Sequence, residues 1–476
     1  YVNLLKSKIF DNDEKTNNLE YGGDGRVFIG TGLNLDFTIN PDFSQIEVDD
    51  QIINLTRFAV ALPEKRQFFI QNNDLFSGFG DFYENRPFFT RRIGVTKDLN
   101  GNTIQNKIHA GVRLSGKLTK RLRVGLLNMQ TAKDETNLIP SNNNTVLSFQ
   151  QNVFSKSNLK FLFVNREKTG QDSFESEQER YNRLLGFDYN FISKNDKIRG
   201  KVFFYNTFSP SEENEGISTG FRFNFNDIKN RFRTVFTRTT PNFTSDLGFS
   251  RRKGFKKNYT KYDRYFFPKS ELIQSISVGP ELYYVDKPEE NNLVTDRRLN
   301  ANLSVNFKNR SRIDLAIVNT YIYLENTFDP TGINNDSPIT EGAYDTSQFE
   351  FGYTSTNRTK FRFNSEISFG GYFSGEKFSI SNNFNFRIDK LLQASLKLSY
   401  DKINLPEPQK SVGLILVSPK LDFTFSKNIF WASFIQFSNF SNSLGINSRL
   451  QWRFAPLSDL FLVYTDNSNY LENDLI

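Results

Sequence analysis

The sequence predicts an all-β protein, a transmembrane up-and-down antiparallel β-barrel of roughly 20 strands with a range of about 16 to 24. Three observations carry this. First, apolar and polar residues alternate in runs of about ten, as in Leu299, Ala301, Leu303, Val305 and Phe307 interleaved with Asn300, Asn302, Ser304 and Asn306. Such a run has one oily and one wet face, and it recurs along most of the chain with no helical segment to cover the oily faces. Second, 15% of residues are aromatic, with 51 Phe and 19 Tyr, yet mean hydropathy is only −0.53 and no apolar run is long enough for a membrane helix. A barrel wall spends aromatics on its lipid face and interfacial girdles while every second residue stays polar. Third, short connections alternate with long ones, the pattern of an up-and-down barrel.

Residues 1–104 read differently from residues 105–476, which form the regular barrel text. Tyr1 to Glu20 lack a clear period. Arg26 to Gly30 and Leu33 to Ile39 flank Thr31-Gly32 as a hairpin. From Pro41 to Gly94, apolar clusters such as Phe68-Phe69-Ile70 sit among charges. So long a stretch without structure is improbable, so it reads as a plug-like or periplasmic insertion. Beyond residue 104, clear strand runs include Ile108 to Leu114, Leu122 to Asn128, Ile313 to Tyr323, Phe378 to Ile388, Leu392 to Tyr400 and Ile446 to Phe454. Short turns such as Ser115–Lys120, Lys308–Arg310 and Lys427–Asn428 are rich in Lys and Arg. Longer connections such as Ala132–Asn144, Ser209–Gly216 and Asp329–Asp345 are on the whole the more acidic, so the short turns are expected inside the cell envelope and the long loops outside. The chain ends soon after Leu460 to Tyr464 without a closing strand that carries a terminal aromatic.

The net charge of +7 does not indicate nucleic acid, because the basic residues are spread over nearly every strand and turn. One His and no Cys exclude Cys-His chemistry and ordinary zinc sites. Gly22-Gly23-Asp24-Gly25 lacks the Lys-Ser/Thr of a phosphate loop. No cofactor and no enzymatic activity are expected. Asp42, Glu47, Asp49 and Asp50 offer carboxylates at a density that could hold Ca²⁺, but their spacing matches no calcium loop. The plainer expectation is salt bridging to Arg57, Arg66, Arg91 and Arg92, which are also the candidate plug or gate residues. The informative set is the inward row. Arg222, Arg298, Arg362, Arg387, Lys397, Arg449 and Arg453 occupy polar strand positions, as do Asp314, Glu366 and Asp422. His109 alternates with Ile108, Ala110, Val112 and Leu114 and is expected to face the lumen as a wall residue. Such charges either pair into ladders that obstruct the barrel or steer solutes through it.

Leu33 to Phe58, Pro63 to Phe76 and Arg86 to Gly94, with Asp246-Leu247-Gly248-Phe249 and Gln451 to Asp466, resemble a Gram-negative outer-membrane β-barrel domain of unknown function. In that family the barrel usually follows a periplasmic domain similar to family-9 carbohydrate-binding modules, which this chain does not contain. The resemblance implies the Gram-negative outer membrane as location. It implies outer-membrane lipids and lipopolysaccharide as partners, and beside them other outer-membrane proteins or the carbohydrate-binding-like domain. The leading functional expectation is porin- or transporter-like passage of a solute, glycan-derived in the finer version. The alternative is a non-transporting accessory barrel of a larger outer-membrane complex.

Overall fold

A computed structural model of the chain describes residues 2–8, 15–41, 48–81, 83–99, 103–170, 180–210, 216–333, 337–456 and 458–469. Among these, twenty-two strands build one antiparallel wall. They are β1 (Gly23–Ile29), β2 (Leu33–Ile39), β3 (Ile108–Lys117), β4 (Leu122–Thr131), β5 (Asn142–Val153), β6 (Ser157–Lys168), β7 (Tyr181–Ile192) and β8 (Ile198–Phe208). β9 (Gly216–Asn226), β10 (Asn230–Thr239), β11 (Phe255–Phe266), β12 (Ile273–Lys287), β13 (Leu293–Phe307), β14 (Arg312–Leu324) and β15 (Gly342–Thr354) follow. The last are β16 (Phe361–Tyr372), β17 (Gly375–Ile388), β18 (Leu392–Asn404), β19 (Val412–Thr424), β20 (Ile429–Ser438), β21 (Ser443–Ala455) and β22 (Ser458–Asn469). Hydrogen-bonding order follows chain order and closes on itself, the topology of an up-and-down barrel.

The predicted hairpin is β1–β2, and β2 pairs with β3 from Leu33↔Gly116 to Ile39↔Ala110. The first hundred residues therefore supply two wall strands, and the expected division at residue 104 does not follow the wall. Several strands also outrun their predicted limits. Ser115 to Lys117 continue β3, Asn142 to Asn144 open β5, and β15 starts at Gly342 inside the expected long loop. Ser, Asn and Gly on a polar wall face look like turn residues in sequence, which explains these shortened readings.

The wall falls into two compact units, Tyr1–Ser44 with Ala61–Asn224 and Val235–Lys256, and Gln45–Val60 with Phe225–Thr234 and Lys257–Ile476. In the first unit the two faces separate along registered rows. Phe149, Phe161, Phe187 and Phe204 pair one after another across β5 to β8 and are all exposed, their rings 6.0–6.1 Å apart in the pairs Phe149–Phe161 and Phe187–Phe204. The row beside it, Gly125, Ser148, Leu162, Gly186 and Tyr205, points the opposite way. There it meets the inserted segment. Phe69, Leu75, Phe76, Phe79, Phe88 and Ile93 form one buried core with Leu127, Met129, Val146, Leu162, Leu184 and other wall residues. Gly125 is required here, because a Cβ would lie 2.8 Å from the Phe76 ring.

In the second unit the apolar row Leu303, Leu315, Phe351, Ile367, Ile380, Tyr400 and Ile415 crosses seven strands in register. The neighbouring rows are polar. Alternation thus holds across both units, and the oily rows on the open side are the lipid-facing surface of a transmembrane barrel.

Candidate functional site

Two arrangements stand out, a packed insert in the first unit and a polar cavity in the second. The insert touches one face of eight consecutive strands, which requires that face to be concave. Gln71 O accepts from Arg113 on β3 at 2.8 Å, and Asn72 donates to Ser115 at 3.1 Å. Asp74 meets Arg123 on β4 at 2.5 Å, and Ser148 on β5 donates to Leu75 O at 2.5 Å. Lys160 on β6 lies over the Phe79 ring. Asn85 donates to Ser218 on β9 at 3.0 Å, and Thr237 on β10 donates to Asp81 at 2.8 Å.

The tightest grip comes from β7 and β8. Lys201 is 2.6 Å from Asp188, both buried, and donates to the carbonyls of Gly78 and Gly80 at 3.2 and 3.0 Å. Tyr205 donates to Asp188 and accepts from the Gly80 N–H at 2.8 Å. A charge pair removed from water is sustained only when its remaining hydrogen bonds are filled, and here the insert's backbone fills them.

The insert is also tied to itself. Arg66 donates to Glu64 at 2.7 and 2.9 Å and to the carbonyls of Ile93 and Thr90 at 2.7 and 2.8 Å. Burial opposes ionisation of Glu64, but the Arg66 hydrogen bonds and charge win and hold its carboxyl below the usual 4.5. Arg123 likewise lowers Asp74, against burial. Arg91 donates to Pro63 O at 2.8 Å and Arg92 to Gly248 O at 3.0 Å. Two of the motif segments in fact pair with each other: Asn85-Arg86 forms a short sheet with Phe249-Ser250, and Phe89 N donates to Leu247 O at 2.7 Å.

In the second unit a strap, residues 48–60, crosses the rim that bears the longer connections. Gln51 N donates to Gln436 at 2.6 Å, and Tyr372 donates to Leu55 O at 2.9 Å. Arg57 places one amino group 2.9 Å from both oxygens of Asp296. Ile53 and Leu55 pack on the buried cluster of Leu324, Ile339, Tyr372, Ile403, Leu405 and Leu414.

The cavity of this unit has a volume of about 920 Å³ and follows two register rows. One runs Ser304, Asp314, Gly352, Glu366, Ser381, Ser399, and the other Asn302, Ala316, Glu350, Ser368, Ser379, Asp401. Small residues keep the space open, while hydroxyls and carboxylates line it. Arg312 pairs with Asp314 at 2.6 Å, Arg298 with Glu350 at 2.7 Å, and Ser379 donates to Asp401 at 2.5 Å. The whole arrangement offers hydrogen bonds to water and polar solutes along a wall of single-residue depth.

Of the sequence-derived wall residues, the structure brings only Asp314 and Glu366 to this cavity. Arg298 reaches its edge through Glu350. Arg362 is half-buried and two turns of the pleat from Glu366 on the same strand face. Arg222 is half-buried on β9, Lys397 faces Asn383 and Ser418 across its neighbours, and Arg449 stands opposite Ala432. Asp422 pairs in register with Gln393 and Ala432. Arg387 and Arg453 are exposed near strand ends, donating to Asp389 O at 3.1 Å and Asp459 at 3.0 Å. A β-bulge between Ile108 and Ala110 corrects the expected face of Ile108, which is buried with Met129 and Ile93. His109 is exposed beside a cavity lined by Tyr21, Phe37, Ile39 and Asn40. Asp42 and Glu47 lie outside the described residues, and among those described no group of three His, Cys, Asp or Glu side chains is placed to hold a metal. The Lys201–Asp188–Tyr205 grip was not singled out from sequence. Its only signal was Asp188 and Lys201 at alternating positions of aromatic-rich strands.

Residues 1–413 match the family described as a domain of unknown function, DUF5916. The chain belongs to that family. No curated protein matches the DUF5916 chain. Among solved structures, it is similar to the siderophore receptor PirA from Pseudomonas aeruginosa, with 11% identity, 76% of this chain and 77% of that chain covered, and a TM-score of 0.44. It is also similar to OccAB1 of Acinetobacter baumannii, with 10% identity, 73% and 96% covered, and a TM-score of 0.37.

Proposed function

We propose that this DUF5916 barrel resides in the outer membrane of a Gram-negative bacterium and passes a polar solute through its second unit, while the insert closes the first. The observation that carries the reading is the contrast between the two interiors. The first is filled by Phe, Leu and Ile side chains, and the second keeps a cavity of about 920 Å³ behind Ser, Asn and carboxylate rows. Hydroxyls and carboxylates at that density suit a polyhydroxylated, glycan-derived solute, the finer form of the proposal. No residue is assigned a catalytic role.

Purified protein in a planar bilayer should give stepwise conductance. Ser381→Trp, which places an indole in the middle of one row, should lower the step without unfolding the barrel. Oligosaccharide added to one chamber should interrupt the current if the solute is glycan-derived. A folded barrel that conducts no ions sinks the passage reading. That result would favour the accessory-barrel alternative, which the filled interior of the first unit also supports.

A further inference from the structure

The turns that join strands at the rim opposite the strap have a composition that neither the cavity nor the insert uses. In the second unit, every turn from residues 227–229 to 425–428 on this side carries at least one exposed Lys or Arg. Lys269, Lys308, Arg310, Arg358, Lys390 and Lys427 have no ion-pair partner among the described residues, while Lys360 is held by Asp389 at 3.1 Å. Acids are few: Asp227 is spent on its own turn, accepting from the backbone N–H groups of Lys229 and Asn230 at 2.8 and 2.6 Å. On the opposite rim, the described connections carry Glu289, Glu290, Glu325, Asp329, Glu341 and Glu407, so the basic character belongs to one side.

The second observation is independent of charge. The same turns expose large apolar side chains that touch no core: Ile228 at 80%, Leu272 at 73%, Phe425 at 55%, Phe267 at 51% and Leu391 at 49%. A soluble rim has no use for these. The two tryptophans of the whole chain stand just behind this rim, Trp431 near the start of β20 and Trp452 near the end of β21. Trp431 stacks on Phe423 at 5.3 Å, and Trp452 is half exposed. Cation, apolar tip and tryptophan in that order is the layering of a membrane interface.

We propose that this rim docks on the headgroups of an anionic phospholipid leaflet, with Lys and Arg at phosphate level and the apolar tips at the acyl boundary. The docking surface continues the lipid-facing rows of the wall, and the proposal stands whether or not the cavity conducts. Phosphate is the complement of unpaired cations spaced one turn apart, each within reach of a different lipid.

The tryptophans supply the test. The full chain is reconstituted in phosphatidylcholine vesicles that contain either dibrominated phosphatidylglycerol or dibrominated phosphatidylcholine, and tryptophan quenching is compared. Phosphatidylglycerol should be preferred roughly threefold at low salt, falling toward parity near 1 M salt as screening shortens to about 3 Å. The sixfold variant K269Q/K308Q/R310Q/R358Q/K390Q/K427Q should lose the preference. Equal quenching by both lipids in the native protein overturns the proposal. So does a preference that survives either high salt or the sixfold variant; the salt series needs no variant to fold.

Discussion

Lys201→Met tests whether the insert is held in place by the grip of β7 and β8. The substitution keeps the length of the side chain but removes its charge and its donors to the carbonyls of Gly78 and Gly80. Asp188 remains fully buried with only Tyr205 donating to it. Removing one partner of a buried pair typically costs about 3–5 kcal/mol, and the surviving Tyr205 bond places this case near the lower end. A local opening made easier by about 3 kcal/mol raises amide exchange roughly hundredfold. The reporter is the Gly80 N–H, which donates to Tyr205 at 2.8 Å. Its exchange should rise to that extent while amides in the β13–β18 ladder stay unchanged. Adding Asp188→Asn should recover a large part of the loss, because the orphaned charge is gone. Gly80 exchange within about threefold of the parent, in a folded barrel, would refute the idea that this pair anchors the insert.

Other expectations follow from the same geometry. Glu64 is held below its usual 4.5 by Arg66, so its stabilising contribution is full above that value and is lost as pH falls through its folded pKa. Proteolysis within residues 61–94 should therefore rise on acidification below about pH 4.5, and Glu64→Gln should weaken the insert at neutral pH but flatten this acid response. Cysteines placed at Gln393, Ser395 and Lys397 should react with a membrane-impermeant thiol reagent in the reconstituted barrel, and those at Leu396 and Leu398 should not. Equal labelling of both sets contradicts the assigned faces. An epitope inserted after Gly332, in the connection before β15, should be detected on intact cells. Detection only after permeabilisation reverses the orientation.

The two-residue period made the second unit easy to read. In β13 to β18 one face is lipid and the other polar, so Leu303, Leu315 and Ile367 alternate cleanly with Ser304, Asp314 and Glu366. The first unit was harder, because β5 to β8 are apolar on both faces wherever the insert packs, as Val146 and Leu162 are buried while Leu147 and Phe161 face outward. Periodicity fades when both faces are oily. The cavity was half legible: Asp314 and Glu366 stood out by charge, but Glu350 and Asp401 enter only through register, which a single sequence does not reveal. Arg57 was expected near the acidic run around Asp49, yet it binds Asp296, 239 positions away. The bulge at His109 left no mark in the local pattern at all.

Strands oily on both faces also set an order of events. Until residues 61–94 arrive, Val146, Leu162, Val164 and Leu184 would face water inside a half-made wall, a continuous apolar surface ready to capture another chain. The insert precedes every strand from β3 onward in the chain, so it is present before the surface that needs it exists. It acts in effect as an intramolecular chaperone that is never released. A barrel built without it is thus a different object from the same barrel with its pore cleared, and its currents would report on misassembly as much as on passage.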